Sequence, residues 1–477
     1  MKFHKIFLLP LFILAIFTYG CKKDLGNYSY RQLADPDVRD LDGKTFPAVE
    51  GDSLILKPAI TYPGGDVSKD LTFNWRITYL EKQTAENYTG YPLRIIYNLP
   101  PGSRPVRLTI TVKATGVQYF YNFKILGGTQ YSLGNAVLSV DNGVTRLSFV
   151  QPDNKTIQSN IYSTLNKEDL PSNPVQLFAK HSPANYGPLT LQQYWIMCND
   201  PAKGSVIVDA TTMLKVSDFG KQFLSPPNTI VPGHIEDSTG VADGVINGKF
   251  YRGTTNTAPF APDYGKYGNP QPGNYTMSPY FTQTYGYTFG YNEVAGAFIS
   301  FDGGGNYNGT DYQVTGDAFD PTNTGLHNLL FMQAVSGTSY AFLKDSQGAI
   351  FELSFKLDID DYNNRAIDPL VKRPFAGASL VTPETKWQRS VVDVFYFSSH
   401  NVIYRYNPIN QSLKALNTNF NGDITMLKLS SDGNELTVGI KGSIYFLDVS
   451  IGKDGSTTTQ PTITGIPGEP VDMVTLK

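Results

Sequence analysis

Few residues in this chain of 477 are spaced for catalysis. His181, His234, His327 and His400 lie far apart, and no H-E-x-x-H sequence sets two of them on one helix face, so the helix-borne zinc pattern is missing. No G-x-S-x-G elbow presents a serine nucleophile. Gly43-Lys44-Thr45 ends like a phosphate-binding loop, but Val38 occupies the position of the first glycine, so the cradle is incomplete. The run Gly303 to Gly309 is one residue out of register for a dinucleotide-binding turn, and it reads as a hairpin or connecting loop. Asp302, Asn306, Asn308 and Asp311 bracket that loop, and Asp358, Asp360, Asp361 and Asp368 form a second acidic group. Both offer the hard oxygen donors that Ca²⁺ takes, without the order of an EF-hand, and Asp and Asn are also ordinary turn residues. These motifs predict no catalytic residue, no metal and no cofactor. An enzyme built around a channel would have to converge distant acids, for which Asp243, Asp302, Asp345 and Asp393 are the candidates.

The densest chemistry is aromatic. Eight tyrosines fall between Tyr251 and Tyr291, interleaved with Pro259, Pro262, Pro270, Pro272 and Pro279 and with little charge. The segment lacks sustained alternation and reads as a long loop, a kind of element that often carries function. Tyrosine offers amphipathic contact area at small entropic cost. Tyr264, Tyr267, Tyr275, Tyr280, Tyr285 and Tyr287 are therefore the candidate surface for sugar rings, a peptide or a partner protein, with an ordered insertion packed on its own domain as the alternative.

Composition narrows the classes. Charged residues make up 17 % of the chain against a usual value of roughly 25 %, while aromatics reach 13 % and 44 glycines and 31 prolines punctuate the sequence. Low charge with many aromatics and turn formers predicts an all-β protein. No clustered basic face suggests nucleic acid. Cys198 lies in the apolar stretch Trp195-Ile196-Met197-Cys198 and reads as a buried structural thiol.

Two β regions must position these residues. In the first, Leu71, Phe73, Trp75 and Ile77 alternate with polar residues, as do Val106 to Val112, and Gly116 turns the chain into Tyr119 to Ile125. One apolar face with a central tryptophan predicts an immunoglobulin-like sandwich over residues 28–126, without a disulfide. In the second, residues 127–477, a turn residue followed by β-branched and aromatic residues recurs at Gly143, Gly204, Gly248, Gly296, Gly348, Asn401 and Gly442. The mean step of about 50 residues is that of a four-stranded blade, so a β-propeller of about seven blades is expected. Ile424 to Leu429, Glu435 to Ile440 and Gly442 to Val449 form its clearest blade, with a Ser-Asp-Gly turn at 431–433.

The N-terminus has its own logic. Lys2 and Lys5 precede the apolar run Ile6 to Phe17, which is too short to span a bilayer and suits a secretory leader. It ends on Gly20-Cys21, which resembles a bacterial lipoprotein signal, although Thr18 stands where that signal prefers leucine. The resemblance implies cleavage after residue 20, lipidation of Cys21 and a linker over residues 21–27. Without residues 1–20 the chain carries 37 Lys and Arg against 42 Asp and Glu, a formal charge of −5. Lys22-Lys23-Asp24 resembles the surface-export signal of Bacteroidetes lipoproteins. The order "EGDSLILKPAITYPGGD", "LTFNWRITY", "VRLTITVKATGVQYFYNFKI" resembles the PKD-like domains of such proteins, with Lys113-Ala114 where an acidic residue is common. "YSLGNAVLSVDNGVTRLSFV" resembles the entry to their second half. The resemblance implies an outer-membrane, outward-facing, non-catalytic protein accessory to SusCD-like nutrient importers, binding an oligosaccharide or peptide ligand or docking on the importer. A propeller-fold glycoside hydrolase or lyase is the alternative.

Overall fold

In the first region, Leu71, Phe73, Trp75 and Ile77 all point inward, as their alternation requires. The structure, a computed structural model, describes residues 34–476 except 80–81, 182–190, 239–240, 258–260, 271, 285–286, 336, 359–364 and 456–461. Cys21 and its leader therefore lie outside the described residues. The chain divides between Gly127 and Gly128 into two units.

The first unit is a sandwich. Its large sheet has the strand order Thr45–Val49, Gln118–Gly128, Gly102–Val112, Leu71–Tyr79 and Thr84–Thr89. Ser53–Leu56 pairs with Leu93–Ile96, and this pair packs Leu54, Leu56 and Leu93 against the inner face of the large sheet. Trp75 sits at the centre, fully buried, and its indole N–H donates to the Gly90 carbonyl at 2.8 Å. Burying so large a ring is possible because its one polar atom keeps a partner.

The second unit is a ring of seven sheets. Blade 1 contains Gly134–Asp141, Val144–Val150 and Ile157–Gln158, and its innermost strand is the C-terminal Glu469–Leu476. Blade 2 is Pro174–His181, Leu191–Cys198, Val206–Asp209 and Lys215–Asp218; blade 3 is Pro232–Ser238, Val241–Ile246 and Lys249–Arg252. Blade 4 is Met277–Thr284, Tyr287–Asn292, Ala297–Asp302 and Tyr307–Gly309. Blade 5 is His327–Val335, Thr338–Lys344, Ile350–Asp358 and Ala366–Pro374, with Gln313–Val314 added in parallel at its outer edge. Blade 6 is Trp387–Arg389, Phe395–Ser399, Val402–Asn407 and Ser412–Asn419; blade 7 is Ile424–Leu429, Glu435–Ile440, Ser443–Asp448 and Ile463–Thr464. Each innermost strand packs on that of the next blade, and blade 7 packs on blade 1 through Glu469–Leu476, which closes the ring. This is a seven-bladed β-propeller.

A separate hydrophobic cluster fills each of the seven interfaces between consecutive blades. Every blade is thus buried on both faces, which is why its central strands are continuously apolar instead of alternating. In Leu191–Cys198, Tyr194, Ile196 and Cys198 face blade 1 while Trp195 and Met197 face blade 3. The seven repeats in the sequence are all one feature, the turn from the second to the third strand of a blade. Six of these turns place glycine at φ between 64° and 86°, and the sixth blade uses His400 at φ 52°. Only glycine enters this left-handed region without steric cost, so the repeat is set by backbone geometry.

Candidate functional site

The tyrosine-rich segment is not one exposed loop. Tyr267 is fully buried, and Tyr275 and Tyr287 are 3 % and 5 % exposed. Tyr267 forms bridges with Phe223 and Gly253 along the outer edge of three-stranded blade 3, and its ring packs against Trp195, Phe219, Phe223 and Tyr251. Burial drives its phenol pKa well above the ordinary value. Tyr275 stacks on Tyr307 with ring centres 4.6 Å apart, beneath the Lys249 ammonium. Tyr287 opens the second strand of blade 4, and Tyr280, on the first, packs edge-on against Phe331 of blade 5. Only Tyr264 and Tyr280 of the described candidates keep partial exposure, and Tyr285 lies outside the described residues. For Tyr267, Tyr275, Tyr280 and Tyr287 the expected exposed surface is corrected to interblade packing, which is the ordered-insertion alternative. Prolines and glycines had masked two real strands, and tertiary burial, absent from local pattern, decided the rest.

Polar side chains gather instead at the C-terminal ends of the inner strands of blades 2 to 4. Glu236 and Asp243 stand directly opposite each other in blade 3, and Asp243 in turn is in register with Arg252. Like charges across a sheet repel, so the pair needs compensation. His234 Nε2 lies 2.9 Å from Glu236 Oε1. Asp243 is fully buried; its Oδ2 accepts from Gln283 Nε2 of blade 4 at 3.0 Å and is 3.9 Å from the Arg252 guanidinium. His181 of blade 2 is 4.0 Å from Asp237 of blade 3. Burial pulls the Lys180 ammonium below its ordinary pKa, against the opposing influence of Asp237 and Asp243.

The inner strands are adapted to carry such groups. The pairing register breaks in the inner ladder of blades 1, 2, 3, 4, 5 and 7. Such bulges interrupt the ladder and re-aim side chains. Polar residues of one inner strand reach the backbone of the next: Gln176 exchanges two hydrogen bonds with Ile235, at 2.8 and 3.0 Å, and Gln388 accepts from the Leu429 amide.

The candidate acids fall on different blades. Asp243 belongs to blade 3, while Asp302 ends the third strand of blade 4 and caps its own turn by accepting from Gly304 and Asn306 amides. Asp345 does the same for Gln347 and Ala349 in blade 5, and Asp393 lies half-buried between the first two strands of blade 6. Asp243 meets Glu236, a partner that only strand register reveals. Cys198 is fully buried, and burial pushes its thiol up to about 12. Among the described residues, no group of three or more His, Cys, Asp or Glu side chains could hold a metal ion, and no helix is long and apolar enough to cross a membrane. Asp360 and Asp361 lie outside the described residues.

Fold and site together define an all-β protein in which an immunoglobulin-like sandwich precedes a seven-bladed propeller. Residues 21–174 match the PKD-like family, a span that covers the sandwich and runs through blade 1 to the start of blade 2. No curated protein matches the chain. Among solved structures, it is similar to a quinonprotein alcohol dehydrogenase-like protein from Bacteroides thetaiotaomicron, at 14 % identity and TM-score 0.42, covering 93 % of this chain and 99 % of that one. It is similar to hydrazine synthase from Kuenenia stuttgartiensis at 11 % identity and TM-score 0.38, covering 65 % of this chain and 88 % of that one. Likenesses at these values carry nothing about activity.

Proposed function

We propose that this chain is a lipid-anchored surface protein that works by binding and not by catalysis. Cys21 would carry the lipid, and each buried acyl methylene contributes about 0.8 kcal/mol to anchoring. The sandwich would act as a spacer, and the propeller would bind an oligosaccharide or peptide or dock on a SusCD-like importer of the outer membrane. The observation that carries this reading is the engagement of the two facing acids of blade 3. Glu236 is held by His234, and Asp243 by Gln283 and Arg252. A general acid must be free to exchange a proton with substrate, and a fully buried, charge-paired Asp243 is poorly placed to do so.

The test is to isolate the lipidated protein from native membranes in mild detergent and identify what accompanies it. Co-purification of an outer-membrane importer or a bound saccharide or peptide supports the reading; a protein recovered alone refutes the docking role. Cys21→Ser should shift the protein from membranes to the soluble fraction, and its retention in membranes would refute the anchor. The hydrolase reading rests on the facing carboxylates of Glu236 and Asp243. It predicts polysaccharide cleavage that Glu236→Gln abolishes.

A further inference from the structure

The outer face of the large sandwich sheet carries a charge pattern that the fold does not require. Arg76 and Arg107 stand directly opposite each other on adjacent strands, and Arg107 is in turn opposite Asn122. The next row along places Lys124 opposite Pro105. Both arginines and the lysine are exposed. Arg76, Thr78, Pro105, Arg107, Asn122 and Lys124 line an open groove of about 410 Å³. Like charges facing each other on a sheet oppose folding. Among the described residues no carboxylate comes within ion-pair distance of Arg76, Arg107 or Lys124, although the same unit pairs Arg39 with Asp37. Asp42, at the sheet edge, accepts from the Asn122 backbone amide at 2.6 Å. Outward positions on the three central strands are otherwise Thr72, Asn74, Ser103, Thr109, Thr111, Gln118, Phe120 and Leu126, with no acid among them.

The structure assigns this groove to an anionic polysaccharide, whose carboxylate or sulfate groups pair with Arg76 and Arg107. Guanidinium forks bind such oxyanions bidentately, and two of them about one strand spacing apart suit charged groups repeated along a chain. Arg107 is already oriented, with Nε donating to Asn122 Oδ1 at 3.1 Å and its guanidinium 5.6 Å from the Phe120 ring centre. Thr78 and Asn122 offer hydrogen bonds to ring hydroxyls, and the 53 % exposed Phe120 offers an apolar face to a sugar. An acidic peptide fits less well, because peptides gain most by adding to a sheet edge, while this groove lies on a sheet face whose backbone bonds are already used. A planar array of lipid headgroups fits a concave groove less well still. This inference adds a ligand class and a second location to the binding reading, and does not depend on the lipid anchor.

Direct binding of the full chain in detergent tests it, with polygalacturonate as probe beside its fully methyl-esterified form, poly-L-glutamate and phosphatidylglycerol vesicles. Polygalacturonate should bind and its ester should not. Affinity should fall roughly tenfold for each of Arg76→Gln and Arg107→Gln and weaken with salt. Arg94→Gln, an exposed cation of the opposite sheet, should leave binding unchanged, and circular dichroism should show all variants folded. Equal binding by wild type and the double variant, or preference for polyglutamate or vesicles over polygalacturonate, overturns the assignment. A saccharide or importer still captured by the double variant would leave the propeller's role standing while this one fails.

Discussion

Asp472 Oδ2 accepts a hydrogen bond of 2.8 Å from the backbone amide of Leu177, 295 residues earlier in the chain. Its other oxygen accepts from Lys428 Nζ at 2.7 Å. One carboxylate on the C-terminal strand therefore ties blade 1 to both neighbours, at the seam where the ring closes. Asp472→Ala leaves an amide and an ammonium without their acceptor and should lower propeller stability by about 1–3 kcal/mol. Asp472→Asn keeps an acceptor for Leu177 and should cost less. Urea unfolding followed through the propeller's tryptophans checks both.

The same seam depends on Gly468. Its φ is 68°, and a Cβ there would lie 2.0 Å from the Val140 carbonyl oxygen. Gly468→Ala meets a left-handed backbone penalty of about 1–2 kcal/mol and a backbone clash costing roughly 1–3 kcal/mol more. The expected outcome is faster hydrogen exchange in Gly134–Asp141 and Glu469–Leu476, the two strands whose pairing closes the ring.

Neighbouring tyrosines should respond oppositely. Tyr267→Ala removes a fully buried ring from the cluster between blades 2 and 3 and should cost about 3–5 kcal/mol. Tyr264→Ala, at a partly exposed turn, should change stability by less than about 0.5 kcal/mol. Thermal unfolding of the two variants separates packing from surface.

Acid should weaken the propeller through two aspartates. Asp153 accepts from the Thr156 and Lys155 amides and the Thr156 hydroxyl, which draws its pKa down to about 2. Asp200 accepts from the Ser172, Lys203 and Ala202 amides and lies below the usual carboxylate range. The folded values are depressed, so the stability these groups contribute is present above the unfolded value of about 4 and lost as pH falls towards about 2. Wild-type stability should decline across that window, and Asp153→Asn with Asp200→Asn should flatten the decline. Urea midpoints measured between these two pH values decide it.

Much of the architecture was legible locally. The alternation of Leu71, Phe73, Trp75 and Ile77 became the buried face of the sandwich, and the recurring turn residue from Gly143 to Gly442 became one turn per blade. The last blade, Ile424–Leu429, Glu435–Ile440 and Ser443–Asp448, lies where its pattern put it. The site was far less legible. Tyr264 and Tyr267 are three residues apart in one loop, yet one is partly exposed and the other is sealed beneath Trp195 and Phe219. Glu236 carries no local signal, because its relation to Asp243 exists only across a hairpin.

By itself, the amino-acid order determined the all-β class, the sandwich core and a blade count near seven. Strand alternation and turn chemistry act between residues a few positions apart, and those interactions are written in the chain. The tertiary structure alone decided that Glu469–Leu476 would complete blade 1, that Asp472 would meet Leu177, and which tyrosines would be buried. Ring closure brings together residues hundreds of positions apart, and burial depends on which blade comes to lie over a side chain, so no local pattern contains either.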